Sequence, residues 1–513
     1  MSSQSSGAEQ SGEFTCELCG KVCQRAYTLE RHKNSNVCKA AQAKQARHPT
    51  QPPLSNTADP PLPASLPELL LHCKKNRPTQ RRIPHGARVA CADRLARILE
   101  ACGEGNGIES WKELILFAPR MLHAPTGKKS VRLANKIMNN LQGIAVAEPV
   151  ARTRQKKKTN DDAIRKQIDL KFQDGDISGA VRLLASEDSI APVNDETLAA
   201  LRLKHRTPPP DVHFPDVAAA PDRPEITCEE VSKALQSFSA GSGAGPDGIR
   251  PQHLKDLAGI RGETGTKFLA ALCKANNRIV NGDIPPEAAT VLFGANLTPL
   301  LKKDGGIRPI ASGSVFRRLA GKIVSNRIQA QLGEVLRPVQ LGYRTKGGCE
   351  IAVHATRAFL ETATNETRCL LKLDFKDAFN TIRRDTMLEK VKEIIPDYLP
   401  YVSSTYHDPT TLFCGDEIIP SNHGVQQGDP LGPMLFCLVV DQLAKSLESP
   451  LNLWYLDDAT LGGSPESVLE DFVTVMEKAD ELGLELNASK CELLIFGGSE
   501  DTRRQAPIPH SGS

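Results

Sequence analysis

The chain has 513 residues, with 64 Lys and Arg against 61 Asp and Glu and a formal net charge of +3. This length predicts about three domains, and the near balance of charge excludes binding to nucleic acid through net charge alone, so such contacts must come from local basic clusters. We expect no membrane partner, because no N-terminal stretch resembles a signal peptide and the apolar run Met434 to Val440 is too short to span a bilayer.

The first forty residues predict a small metal-dependent unit. Residues 1–13 are rich in Ser, Gln and Gly, which predicts disorder. Residues 14–40 then contain four side chains at the spacing of a tetrahedral zinc site: Cys16, Cys19, His32 and Cys38. A hairpin-plus-helix unit of this size cannot fold without a metal. Cys23 remains open as a rival ligand.

The same segment resembles a two-Cys, two-His zinc finger whose last ligand is changed to Cys. The resemblance implies that Arg25, Thr28 and Arg31 occupy the helix positions from which such fingers read bases in the major groove. Arginine pairs well with guanine. Contacts to phosphate, RNA or protein remain open as alternatives.

The next 186 positions divide by composition. Residues 41–80 are rich in Pro and Gln and predict a linker. Residues 81–205 predict a helical, basic extension, in which residues 89–102 repeat apolar side chains at three- and four-residue steps. The basic run 152–158 is open to three interpretations, namely phosphate binding, nuclear localisation and a solvated linker. Residues 206–226 predict a second, Pro-rich linker.

Two features follow that linker. Thr227 is a good helix N-cap, with acidic residues in the first turn of an apolar-periodic segment. Residues 297–310 have the pattern of two strands joined by a Gly-Gly turn, and cations lie near the tip. Lysines on an exposed hairpin also serve solubility, so this pattern alone does not assign a site.

Acidic residues end two strand-forming runs farther along the chain. Asp374 follows the apolar run that starts at Cys369, and Asp457 and Asp458 interrupt the apolar run 453–461 as the tip of a tight hairpin. Adjacent carboxylates repel each other, and a divalent cation relieves that repulsion. A third carboxylate beside them gives an oxygen-rich cluster suited to Mg²⁺. The alternative is an ordinary hairpin whose turn is acidic.

In chain order, residues 369–380, 424–436 and 455–458 resemble three successive motifs of reverse transcriptases. The wider pattern is similar to non-LTR, LINE-like retrotransposons with an N-terminal zinc finger, of the restriction-like-endonuclease group. The resemblance implies an α+β fold with right-hand polymerase fingers and an antiparallel palm sheet over residues 227–500. A small ββα zinc finger and a helical linker region would precede it, and residues 501–513 would form a disordered tail.

The resemblance also implies site residues. Asp374, Asp457 and Asp458 would be catalytic and, with Phe375, would bind two Mg²⁺ or Mn²⁺ ions roughly 4 Å apart; one structural Zn²⁺ would occupy the finger. The nucleotide would contact seven residues: Lys302, Lys303, Arg308, Phe379, Gln427, Gly428 and Lys490. Phe379 would exclude a 2′-hydroxyl and so select deoxynucleotides.

The function that follows is RNA-directed DNA polymerase. Its expected partners are an RNA template, a DNA primer or target DNA and deoxynucleoside triphosphates, with no identifiable obligate protein partner. We expect nuclear localisation, with translation and particle assembly in the cytoplasm. Because the family's thumb and endonuclease are not found after the palm motifs, we expect a truncated copy. The alternative is a catalytically impaired or domesticated remnant that only binds nucleic acid.

Overall fold

The computed structural model describes the following residues: 14–15, 22–23, 65–75, 78–123, 133–143, 160–173, 175–185, 189–217, 223–302, 304–362 and 366–507. The chain divides into two compact units, residues 1–62 and residues 63–513. Within these described ranges, no helix is long and apolar enough to cross a membrane.

The first unit contains a short strand pair. Strands β1 (Phe14–Thr15) and β2 (Val22–Cys23) are antiparallel, with Phe14 opposite Cys23. The rest of the predicted ββα unit lies outside the described residues, so the unit stays a prediction. The predicted zinc ligands Cys16, Cys19, His32 and Cys38, and the predicted base-reading residues Arg25, Thr28 and Arg31, lie outside the described residues.

The second unit begins with a helix inside the predicted linker 41–80. Helix α1 (Leu66–Lys74) starts after Ser65, whose backbone N–H donates to Glu68 Oε2 at 3.2 Å. Leu66 and Leu70 are fully buried. The linker prediction is therefore wrong for residues 65–75. Proline in the first turn of a helix is compatible with helix, so the Pro-rich composition was misleading here.

In the described residues, nine further α-helices and one short strand precede residue 281. The helices are α2 (Arg88–Glu104), α3 (Ile108–Met121), α4 (Leu133–Leu141), α5 (Asn160–Gln173), α6 (Ile177–Ala185), then strand β3 (Ser189–Ile190), followed by α7 (Asp195–Lys204), α8 (Cys228–Gln236), α9 (Pro251–Ala258) and α10 (Glu263–Val280). Thr227 caps α8 as predicted, since its hydroxyl accepts from the Glu230 backbone N–H.

A five-stranded sheet contains the predicted hairpin of residues 297–310. The elements that follow α10 in the chain are α11 (Pro286–Leu292), β4 (Ala295–Leu301), β5 (Ile307–Gly313), α12 (Val315–Leu336), α13 (Gly348–Glu361), β6 (Arg368–Leu373), α14 (Ala378–Thr381), α15 (Arg384–Ile394), α16 (Leu399–Tyr406), β7 (Thr410–Cys414) and β8 (Glu417–Ser421). Of these, β4, β5, β7 and β8 form the five-stranded sheet together with β3. Strands β4 and β5 pair antiparallel over seven residues each, which confirms the hairpin. On its other edge, β4 pairs with β3 and, in parallel, with β7, while β8 continues the sheet beyond β7.

A separate four-stranded antiparallel sheet holds the acidic residues. Its order is β11-β6-β10-β9. The remaining elements are α17 (Gly432–Lys445), β9 (Leu451–Tyr455), β10 (Asp458–Gly463), α18 (Pro465–Glu481), β11 (Glu492–Phe496) and α19 (Glu500–Arg504). The predicted antiparallel sheet with an acidic hairpin is therefore confirmed.

One hydrophobic core connects the N-terminal helices to this sheet. The same cluster of buried side chains runs from Leu66 through Trp111 and Phe268 to Trp454 and Leu484. Helix α2 packs along α10, and α3 packs against α11. The predicted boundary at 226/227 is therefore not a break in the core, and the helices of the extension support the same body as the sheet.

Candidate functional site

Asp374 marks the end of a buried central strand. Strand β6 lies between β11 and β10, and its last residue, Leu373, is fully buried. The chain leaves the sheet at Asp374, whose carbonyl accepts from the Asn487 backbone N–H at 2.8 Å. The Asn487 Nδ2 also donates to Asp374 Oδ2 at 2.9 Å. The loop before β11 thus fixes the carboxylate at the rim of the sheet.

The neighbouring hairpin brings two more carboxylates to the same rim. Asp458 is the first residue of β10 and pairs with Tyr455, so Leu456 and Asp457 form the turn. Because Ala459 lies opposite Leu373 in the β10–β6 ladder, Asp458 and Asp374 continue the adjacent strands at the same end of the sheet. The register therefore explains why the three acids lie at the same rim of the sheet.

The electrostatics of Asp457 show this proximity. Burial, followed by the charges of Asp458 and Asp374, raises the pKa of Asp457, while Arg308 acts in the opposite direction. Like charges disfavour ionisation of one another, and a cation relieves that cost. A cation at this rim would therefore favour the ionised form of Asp457.

The three carboxylates line one cleft of about 820 Å³ together with cations from the other sheet. Lys302 comes from the loop after β4 and Arg308 from β5, so the hairpin faces the acids across the cleft. At the hairpin tip, Asp304 lies 3.5 Å from Lys490 of the loop before β11. The cleft thus contains these predicted site residues: Asp374, Phe375, Asp457, Asp458, Lys302, Arg308, Phe379, Gln427, Gly428 and Lys490. Lys303 lies outside the described residues.

Phe379 is both a packed residue and a wall of the cleft. Its ring stacks on Phe436, with centroids 4.7 Å apart and 19° between the planes. The Phe379 carbonyl accepts from the Val425 N–H at 2.7 Å, which ties α14 to the loop before α17. The ring is therefore held rigidly, with one side left to the cleft.

Gln427 and Gly428 lie where that loop contacts β5. The Gln427 carbonyl accepts from the Ala311 N–H at 2.7 Å, and its side chain donates to Asn380 Oδ1 at 3.1 Å. Gly428 has φ 128°, and a Cβ there would lie 2.2 Å from the Ala311 carbonyl oxygen. Close approach to β5 therefore requires glycine at this position.

No group of three or more His, Cys, Asp or Glu side chains in the described part of the chain is arranged as a ready-made metal site. Asp374 is hydrogen-bonded to Asn487, and Asp458 is exposed. Phe375 is buried and its ring stacks on Trp454. Its side chain has no oxygen, so only its main-chain oxygen could be a ligand. The three acids line one cleft.

Comparison with known families decides what kind of domain this is. Residues 300–507, which contain both sides of the cleft, match the family described as reverse transcriptase (RNA-dependent DNA polymerase). Residues 300–507 thus have a reverse transcriptase fold. The α+β fold with fingers and a palm sheet is thereby established for the body described above.

Three curated proteins are similar to this chain. The retrotransposable element SLACS 132 kDa protein of Trypanosoma brucei gambiense is 27% identical over 57% of this chain and 24% of its own length. The Pol polyprotein from element R2DM of Drosophila melanogaster is 27% identical over 52% of this chain and 26% of its own. The Pol polyprotein from element R2 of Popillia japonica is 28% identical over 50% of this chain and 34% of its own length. The chain thus matches only about a quarter to a third of each relative.

The structure adds a basic residue that sequence reasoning missed. Lys204, at the end of α7, reaches the same cleft and contacts both carboxylate oxygens of Asp377 at 2.5 and 2.6 Å. Asp377 has a left-handed backbone (φ 48°) between Asp374 and Phe379. The ion pair therefore holds the turn that carries both residues. No local signal predicts a contact across 173 positions.

A buried polar network behind the Gln427 loop was also missed. The Arg317 guanidinium is fully buried and donates to Asp429 Oδ2 at 2.6 Å and to the Tyr406 hydroxyl at 3.0 Å. It also donates to Gln426 Oε1 at 2.5 Å. The Tyr406 hydroxyl donates in turn to Asp429 Oδ2 at 2.5 Å. This network attaches helix α12 to the loop that carries Gln427 and Gly428.

Proposed function

We propose that this chain is an RNA-directed DNA polymerase of a non-LTR retroelement, which adds deoxynucleotides to a primer 3′-hydroxyl in the described cleft. One observation carries the proposal: the acids of the palm sheet and the cations of the fingers hairpin line the same cleft, within the residues that match the reverse transcriptase family. A cleft of about 820 Å³ is of the size that holds a nucleotide-sized ligand.

The donor set fits a hard divalent cation such as Mg²⁺. Asp374, Asp457 and Asp458 would hold it, with the main-chain oxygen of Phe375, because these are the oxygen ligands that Mg²⁺ prefers. The raised pKa of Asp457 supports this assignment, since its neighbours' negative charge is what a cation would offset. When bound, a pair of such ions activates the attacking hydroxyl and stabilises the leaving group.

The chain's own cations would orient the triphosphate. Arg308 offers a planar guanidinium suited to phosphate oxygens, and Lys302 lies beside it. Lys490 approaches the same cleft from the palm side and is paired with Asp304. Because both partners are about half exposed, that pair is weak, and a triphosphate would compete for Lys490.

The position of Phe379 predicts control of sugar choice. In the variant Phe379→Val, we expect ribonucleotide incorporation relative to deoxynucleotide to rise about 10- to 100-fold, because the wall that excludes a 2′-hydroxyl is removed. Single-nucleotide addition with matched dNTP and rNTP measures the ratio. Phe496→Val, a similar half-buried change outside the cleft, is the control. An unchanged ratio would assign Phe379 only to packing against Phe436.

We also propose a zinc finger at residues 14–40 that contacts nucleic acid. The ligand spacing of Cys16, Cys19, His32 and Cys38 supports it, as does the antiparallel pairing of β1 with β2. We expect one zinc per purified chain by mass spectrometry of metals, and substantially less in Cys16→Ser. Cys73→Ser, in helix α1, should retain the zinc. Equal zinc in Cys16→Ser and the wild type would contradict the site.

RNA-templated primer extension tests the proposed function. The 513-residue chain is incubated with Mg²⁺, dNTPs and a DNA primer annealed to RNA, and separately with the same primer on DNA. We expect extension that follows the RNA sequence and stops when the complementary dNTP is omitted. Salt-sensitive binding without extension on either template would contradict the proposal and favour a nucleic-acid-binding remnant.

A further inference from the structure

A short segment after helix α12 supports the β9–β10 hairpin along its outer edge. Residues 339–342, here called the support segment, run beside β9. The Leu341 N–H donates to the Trp454 carbonyl at 2.7 Å, and the Trp454 N–H donates to the Val339 carbonyl at 3.0 Å. Gln340 and Trp454 thus form a parallel bridge next to the edge strand. The hairpin that carries Asp457 and Asp458 is therefore held by β6 on one side and by the support segment on the other.

The side chain of Gln340 reaches past β9 to the turn itself. Its Oε1 accepts from the Leu456 N–H at 2.8 Å and from the Gly342 N–H at 3.0 Å. Its Nε2 donates to the Leu456 carbonyl at 3.3 Å. Gln340 is 2% exposed, so these bonds form away from competing water. Both backbone groups of one turn residue are satisfied by one amide side chain.

Leu456 needs such support because of its conformation. Its φ of 58° lies in the left-handed region, which non-glycine residues rarely adopt. Residues with a strained backbone persist when several contacts from the surrounding structure hold them in that conformation, and they cluster at functional sites. Asp457 is the next residue, so rotation of the Leu456 backbone would move its carboxylate directly.

Gly342 shows how closely the two segments approach. A Cβ at this position would lie 2.5 Å from the Leu456 nitrogen and 2.9 Å from the Tyr455 carbonyl carbon. The support segment therefore contacts the turn backbone to backbone, without an intervening side chain. Any side chain at position 342 would displace the turn or the segment.

We propose that Gln340 is a positioning residue for the catalytic acids, which fixes the Leu456 turn and thereby the directions of the Asp457 and Asp458 carboxylates. This inference rests on the proposed polymerase function for its kinetic consequence. Its structural content, a turn held by one buried amide, is independent of that function. The glutamine touches no reacting atom, and it acts through the hairpin backbone.

The variant Gln340→Met tests the proposal, because methionine has a similar length and lacks the amide. For single-nucleotide addition we expect kcat to fall on the order of 100-fold, the cost of a small displacement of reacting groups. The KM for dNTP and the Kd for primer–template should stay within about threefold, since those contacts lie elsewhere. Gln331→Met, an exposed glutamine on α12, is the matched control and should match the wild type.

Hydrogen exchange of residues 453–459 provides a readout that needs no activity. We expect faster exchange of the Leu456 amide in Gln340→Met and no change in Gln331→Met. If Gln340→Met shows faster exchange but the wild-type protein does not extend primers, the positioning role is supported and the proposed polymerase function is overturned. If Gln340→Met does not fold, Gly342→Ala perturbs the same turn and should show the same fall in kcat. Normal kcat and normal exchange in a folded variant would overturn the inference.

Discussion

Replacing Asp457 with asparagine is expected to reduce Mg²⁺-dependent nucleotide addition roughly 1,000-fold, the upper end of the cost of removing one electrostatic contact to a transition state. The same change should leave the melting temperature of the metal-free protein at pH 7 unchanged or raised. Burial and the charges of Asp458 and Asp374 disfavour an ionised Asp457 in the folded protein, and asparagine removes that cost. Activity and stability should therefore move in different directions.

The pH dependence of this stability difference has a defined sign. The pKa of Asp457 is higher in the folded protein than in the unfolded chain, so the folded wild type binds the proton more tightly. The wild type therefore loses stability as the pH rises from the unfolded pKa to the folded pKa. The melting temperature of Asp457→Asn relative to wild type should therefore increase from about pH 4 upward, the ordinary range of an aspartate.

A matched control separates this effect from general loss of charge. Asp416→Asn removes a carboxylate in the β7–β8 turn, outside the cleft, and should retain wild-type rate. A wild-type rate in Asp457→Asn would refute the catalytic assignment. A large fall in the melting temperature of Asp457→Asn at pH 7 would refute the claim that burial and neighbouring charges disfavour an ionised Asp457.

The largest effect on folding is expected at Arg317. Arg317→Met leaves Asp429 and the Tyr406 hydroxyl buried without their cation, and removal of one partner of a buried pair costs about 3–5 kcal/mol. Denaturant unfolding followed by circular dichroism measures the change in the free energy of unfolding. Because Arg317 attaches α12 to the loop that carries the predicted nucleotide contacts Gln427 and Gly428, the remaining folded protein should also bind the nucleotide more weakly.

Two comparisons test this explanation. In Arg317→Met/Asp429→Asn the destabilisation should be clearly less than the sum of the single variants, because no unpaired charge remains. Arg337→Met removes a guanidinium from an exposed pair with Glu334 and should cost no more than about 1 kcal/mol. Equal losses in Arg317→Met and Arg337→Met would show that the buried network does not stabilise the fold.

The acidic rim and the fingers hairpin were predictable from the sequence because their signals are local. An apolar run that ends at Asp374, and a strand pair interrupted by Asp457 and Asp458, each specify a strand and its end. The Gly-Gly turn likewise specified the hairpin with Arg308. The order of the motifs at residues 369–380, 424–436 and 455–458 then indicated the fold through the resemblance to reverse transcriptases.

The supporting residues were not predictable, since their partners are distant in sequence. Lys204 contacts Asp377 across 173 positions, and Gln340 contacts Leu456 across 116. A buried glutamine or arginine has no periodicity that marks its partner. Composition was also misleading at residues 65–75, where Pro67 lies within the first turn of a helix that buries Leu66 and Leu70. Local patterns thus identified the chemical groups, and tertiary structure revealed what holds them.

The most direct test of the central claim is to map where the divalent metal binds. Fe²⁺ substituted for Mg²⁺, with ascorbate and peroxide, cleaves the backbone next to the bound ion, and the fragments are identified by mass spectrometry. With primer–template and dNTP present, we predict cuts near residues 374 and 457–458 that Mg²⁺ suppresses and that Asp457→Asn abolishes. Cleavage confined to other parts of the chain, or unchanged in Asp457→Asn, would contradict a metal-dependent polymerase site in this cleft.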